Sequence, residues 1–161
     1  MLEQVSERAS VAGHFLNRYR RDFSVFPEEP NLLGMRQEHD YNLSVRDVAT
    51  HFGLSARTVR QKLQDGVLTG VRLAGQWRCS WPDVWAAEHG PLPRGRRAEL
   101  YKEPLLTKRI LADKWGVSER TVERWIEGGL PTRNVFGSIR IAPVDADDWI
   151  TQTFGIAKRA G

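Results

Sequence analysis

Leu43-Ser44-Val45-Arg46-Asp47-Val48-Ala49-Thr50-His51-Phe52-Gly53-Leu54-Ser55-Ala56-Arg57-Thr58-Val59 recurs, without a gap, as Leu106-Thr107-Lys108-Arg109-Ile110-Leu111-Ala112-Asp113-Lys114-Trp115-Gly116-Val117-Ser118-Glu119-Arg120-Thr121-Val122. Ala49, Gly53, Ser55, Arg57, Thr58 and Val59 fall on Ala112, Gly116, Ser118, Arg120, Thr121 and Val122, more identity than chance gives in so short a window. The match runs on through Gly66/Gly129 and, after a one-residue deletion, through Gly75/Gly137, Arg78/Arg140 and Asp83/Asp145. The repeating unit is therefore a whole domain.

Each element of the unit has a physical reading. Val48-Ala49 with Phe52, or Leu111-Ala112 with Trp115, form the apolar face of a short helix, and Gly53 or Gly116 stands where the helix ends and the chain needs positive φ. Ser55 and Ser118 are placed to cap a second helix, which buries Val59 and Leu63, or Val122 and Ile126. Arg57, Arg60, Gln61 and Gln64 share the opposite face; in the second copy that face is Arg120, Glu123, Arg124 and Glu127. The alternation of residues 71–79 around Gly75, and the matching residues 133–141 around Gly137, predict short hairpins. Pro82 and Pro143 each stand at the start of a closing helix. The expected fold class is mainly α with small β wings: tandem winged helix-turn-helix domains plus an N-terminal helix.

Residues 43–88 resemble the excisionase-type DNA-binding domain, related to the reduced MerR-like winged helix. The resemblance is carried by Val48-Ala49, Gly53-Leu54-Ser55, Arg57-Thr58-Val59, Gly66-Val67-Leu68 and Gly75-Gln76-Trp77-Arg78. The second copy keeps Gly116-Val117-Ser118, Arg120-Thr121-Val122 and Trp125, but has Gly129-Leu130-Pro131 and Gly137-Ser138-Ile139-Arg140 further on, a variant that is also similar to the DNA-binding end of phage terminase small subunits. The resemblance implies that the second helix of each copy enters a major groove. Arg57, Arg60 and Gln61, and Arg120, Glu123 and Arg124, would then read bases, since arginine offers a fork to guanine, glutamine matches adenine and glutamate accepts from cytosine. Backbone or wing contacts are expected from Ser55, Thr58, Arg72, Gln76, Arg78, Arg94, Arg96, Arg97, Ser118, Thr121, Arg133 and Arg140. Charges spaced i, i+3, i+4 and i+7 also make ion pairs on any exposed helix, so the face acquires its meaning from the turn it follows.

The chain divides into an N-terminal helix and connecting segment (residues 1–42), the first copy (43–88), a basic linker (89–104), the second copy (105–152) and a basic tail (153–161). Leu2, Val5, Ala9, Ala12, Leu16, Tyr19 and Phe23 predict a helical seam over residues 2–22, which either pairs two chains or folds back on the first copy. In the linker, Pro91, Pro93 and Arg94-Gly95-Arg96-Arg97 disfavour regular structure beyond one helical turn at residues 98–101. Fully extended, it would reach roughly 50 Å, more than the roughly 34 Å of one duplex turn, allowing both recognition helices onto one DNA face.

A net charge of +4 and a pI near 9.6 suit a polyanionic partner. The excess is uneven: residues 43–88 carry six basic and four acidic side chains, whereas residues 106–152 balance at seven each. The single Cys79 belongs in a core and fits a reducing cytoplasm. His14, His39, His51 and His89 lack partners at metal-ligand spacing, and the chain has no phosphate loop, nucleophile elbow or dinucleotide fingerprint, so neither metal, cofactor nor catalysis is expected. No apolar run approaches the roughly 20 residues of a membrane span. The expected function is sequence-specific binding of double-stranded DNA, as an excisionase-like recombination directionality factor or a transcriptional regulator, with an integrase or RNA polymerase as a further partner. Two alternatives stand beside it: a terminase small subunit-like packaging protein, and a protein-interaction module with a degenerate second DNA-binding domain.

Overall fold

A computed structural model describes residues 40–156; the helix expected over residues 2–22, its two packing alternatives, and Lys158 and Arg159 of the tail lie outside the described residues. In the first copy, β1 (Leu43–Ser44) leads into α1 (Val45–Phe52) through a reciprocal capping box. The Ser44 hydroxyl accepts from the Asp47 N–H, and the Asp47 carboxylate accepts from the Ser44 N–H. The Ser44 hydroxyl also donates to the Asp47 carboxylate at 2.6 Å, and this bond, with the one from the Ser44 N–H, holds the Asp47 carboxyl below its usual range. Helix α1 stops at Gly53, left-handed at φ 61°, where the missing Cβ removes the steric penalty. Ser55 then accepts from the Thr58 N–H and starts α2 (Ala56–Gln64), which buries Val59 and Leu63. A hairpin follows, β2 (Val71–Leu73) and β3 (Gln76–Cys79), turned by Ala74 and Gly75, both at positive φ. Such two-residue turns match the natural twist of paired strands. The sheet order is β1-β3-β2, with Leu43 opposite Cys79. Ser80 and Asp83 form a second capping box at α3 (Trp81–Ala87), with Pro82 in its first turn.

The second copy repeats this order. Thr107 caps α4 (Lys108–Trp115), Gly116 ends it at φ 64°, and Ser118 accepts from the Thr121 N–H to start α5 (Glu119–Glu127). Strands β4 (Arg133–Val135) and β5 (Ser138–Arg140) turn through Phe136 and Gly137, again both at positive φ. Leu106 pairs with Ile141, in the place that Leu43 and Cys79 hold in the first copy. The closing helix α6 (Pro143–Phe154) is longer and lacks a side-chain cap. Among the described residues the chain is mainly helical with small antiparallel sheets.

The two copies are not independent bodies on a tether. One core gathers Val48, Phe52, Val59, Leu63, Cys79 and Val84 of the first copy, and with them Leu105, Val135, Ala142 and Val144 from beyond the linker. The other consists of Leu111, Ala112, Val122, Leu130, Ile141 and Ala146. A unit of fewer than fifty residues buries too little apolar surface to close on itself, and the second hairpin supplies what the first copy lacks. The described residues accordingly fall within one compact unit.

The linker is more regular than its prolines and arginine run lead one to expect. Residues Gly95–Lys102 coil as a 3-10 helix, and the stretch is tied down on both sides. The Trp85 indole donates to the Tyr101 carbonyl at 3.2 Å, the Tyr101 hydroxyl donates to Asp145 at 2.6 Å, and the Leu105 N–H donates to the His51 carbonyl at 2.8 Å. Pairing across the linker, which local sequence does not encode, overrides its local preference for irregular structure.

Candidate nucleic-acid interface

On the first copy, Arg57, Arg60, Gln61 and Gln64 are all exposed on α2, opposite the buried Val59 and Leu63. Beside this face lies an open groove between α2, the start of α1 and the hairpin, into which Arg46, Arg60, Arg72, Gln64 and Gln76 converge. Three arginines line it and no aspartate or glutamate does. The Arg72 guanidinium lies over the Trp77 ring, 5.4 Å from its centroid, which stiffens a long side chain without neutralising it. Arg78 is half-buried and donates to the Gln76 side chain at 3.4 Å. Gln61 donates to Asp65 at 2.8 Å, which orients its amide. Ser55 and Thr58 have their hydroxyls 2.8 Å apart at the start of α2 and serve the cap.

Arg46 escaped the sequence reading. It stands on α1, far along the chain from Arg72, and only the return of the hairpin past the start of that helix puts both in one groove.

The second copy keeps part of the pattern. Arg120, Arg124 and Glu127 are exposed on α5, and Ser118 and Thr121 repeat the cap with hydroxyls 3.0 Å apart. Glu123 is engaged: Lys108 donates to it at 2.7 Å, and this hydrogen bond with the attending charge holds its carboxyl below the usual range. Reading a base would require that pair to open.

The hairpin of the second copy overturns two expected backbone contacts. Arg133 is 3% exposed, donates to Glu88 at 2.7 Å and lies over the Tyr101 ring at 4.9 Å. A side chain so enclosed does not reach a phosphate. Arg140 is only partly exposed and donates to the carbonyls of Phe52 and Gly53 at 2.7 and 3.1 Å, capping the C-terminal end of α1 where a cation is favoured. Phe136, at the turn, meets Phe52 edge to face at 5.6 Å, and Lys62 of α2 lies over its ring. Glu88 joins the set from the other side, its second oxygen 2.8 Å from His51 Nε2. The first hairpin projects free while the second is turned inward.

In the linker Arg94 and Arg96 are exposed. Arg97 is exposed too, but pairs with Asp148 of α6.

The residues of this buried seam left a faint trace in the sequence. Aligned across the repeat, Glu88 faces Ile150, His51 faces Lys114 and Arg133 faces Val71, so these are places where the copies differ in charge. Among the described residues no cluster of His, Cys, Asp or Glu is arranged to hold a metal ion, and no helix is long and apolar enough to cross a membrane. No family model, curated protein or solved structure matches the chain.

Proposed function

We propose that the chain binds double-stranded DNA sequence-specifically through two winged helix-turn-helix units, with the first as principal reader. The observation that carries this reading is the groove of the first copy: three arginines and no carboxylate between an exposed Arg/Gln helix face and a free hairpin. A major groove about 12 Å wide admits a helix such as α2, with the hairpin alongside on the phosphates. Arg57, Arg60 and Gln61 read base edges; Arg46, Arg72 and Gln76 hold the backbone. The role is regulatory, at an attachment site or a promoter, and genome-wide occupancy of the chain separates these from a packaging site.

The direct test is a mobility-shift titration against random and library-selected duplexes over a salt series. Counterion release by several arginines predicts a loss of affinity of roughly 10³-fold or more between about 50 and 200 mM salt. A flat salt response, or no shift with any duplex, overturns the proposal.

One observation leaves the second copy the smaller share of the DNA contact. Its hairpin is spent on the first copy through Arg133, Phe136 and Arg140. Its helix face, Arg120 and Arg124, remains outward for DNA.

A further inference from the structure

The seam between the copies contains more polar chemistry than adhesion requires. Arg133, Glu88 and His51 form a chain of contacts at 2.7 and 2.8 Å, all three side chains at least nine-tenths buried. The Asn134 N–H also donates to the Glu88 carbonyl at 3.0 Å, fixing β4 on the end of α3 by backbone as well as by charge. A buried ion pair adds little over an apolar pair of the same shape, but sliding it by one register leaves both charges enclosed and unpaired. Such a contact selects one docking geometry against its neighbours.

The same hairpin touches the reading elements of both copies. On one side Arg140 holds the two carbonyls of the turn that precedes α2, and Phe136 lies under Lys62 of α2 itself. On the other side Ile141, next after β5, pairs with Leu106 just ahead of α4 and is fully buried in the second core with Val122 of α5. Phe136 holds φ 51°, a conformation costly for a bulky residue, and its packing on Phe52 maintains it. From α2 to α5 the path runs through packed side chains and paired backbone, with no loose linker in it.

We infer that Arg133, with Glu88 and His51, is a positioning group for DNA reading: the seam sets the separation and rotational phase of the exposed faces of α2 and α5, so the chain reads two patches at one fixed spacing. The inference rests on the DNA-binding reading above. It departs from a flexible tandem, whose tether would follow either patch to a new position. In duplex DNA, inserting about five base pairs carries the second patch to the opposite face, and about ten restores the face but displaces it by a full turn.

The test uses the full chain and a duplex selected by it from a randomised library, footprinted to locate the patches. Two, five or ten base pairs are then inserted between them. The wild-type chain is expected to lose roughly tenfold or more in affinity at every insertion, ten included, because the second contact is no longer intramolecular. Arg133→Met, checked for folding by far-UV circular dichroism, is expected to bind the native spacing more weakly and to flatten the dependence on spacing. Should that variant fail to fold, Arg140→Gln removes the hold on α1 from a partly exposed position and carries the same expectation. A merely structural role would lower affinity equally at all spacings. A single-patch footprint, wild-type indifference to insertion, or folded variants that keep the wild-type spacing profile would each overturn the inference while leaving DNA binding intact. Failure to bind any duplex would overturn the DNA-binding reading and this inference with it.

Discussion

Replacing Arg133 by Met removes a buried charge while keeping most of the aliphatic stem. Arg133 and Glu88 are 3% and 0% exposed, so the carboxylate left behind has no solvent to turn to and only His51 beside it. Breaking such a pair from one side costs about 3–5 kcal/mol, a large share of the roughly 5–15 kcal/mol that stabilises an ordinary domain. At this chain length that corresponds to a fall in melting temperature on the order of 10–20 °C. The assay is urea unfolding followed by tryptophan fluorescence, which reports on both copies through Trp81 and Trp85 in one and Trp125 and Trp149 in the other. Because Val135, Ala142 and Val144 complete the first core, both copies should unfold together, before and after the substitution. Gly90→Ala provides an independent push on the same group, since a Cβ there would stand 2.8 Å from Arg133 Nη1. Arg97→Ala, which removes the exposed pair with Asp148, should change stability little. A loss below about 1 kcal/mol for Arg133→Met, or two separate transitions in the wild-type chain, would mean that the seam does not hold the copies together.

Arg57→Ala or Gln61→Ala should lose about 1–3 kcal/mol on the selected duplex and far less on random DNA, whereas Arg96→Ala should weaken both alike; equal losses throughout would mean that the α2 residues position without reading. Burial, with the Asp83 charge, pushes the Cys79 thiol from 9.0 to about 11, so the native chain should resist alkylation near pH 8 until it is unfolded. The raised value means that its stabilising contribution is complete below pH 9.0 and lost as pH climbs towards 11, about 3 kcal/mol in all; a stability profile without that decline would count against it. Ala74 and Phe136 occupy the same strained turn position, yet Ala74→Gly should stabilise by about 0.5–1 kcal/mol while Phe136→Gly should destabilise by about 2–4 kcal/mol, because only the second side chain packs on the other copy. Thermal melts of the two variants compare them directly.

Most of the local architecture was legible in the chain because its causes are local. Ser55 and Ser118 bond to amides three residues on, and Gly53 and Gly116 answer a steric demand within a single residue. The outward faces of α2 and α5 follow from helical period alone, though Ile126 is only half-buried where Val59, Leu63 and Val122 are buried. Arg72 and Gln76 were also legible, since a hairpin tip with no apolar complement stays in solvent.

Arg133 and Arg140 show where that legibility stops. Nothing in Arg133-Asn134-Val135 distinguishes it from a phosphate-binding wing, because what consumes the arginine is Glu88, forty-five residues earlier in the chain. The linker likewise offered no regular structure beyond one turn when its only neighbours were its own prolines and arginines; docking onto Trp85, His51 and Asp145 coiled it. The repeat, the caps, the turns and the exposed faces can be read from the chain alone, because each depends on contacts within a few residues or on helical and strand period. Which hairpin stays free and which becomes the joint between the copies is settled in the folded molecule, since it depends on burying charge and apolar surface between segments that meet only after the chain has folded.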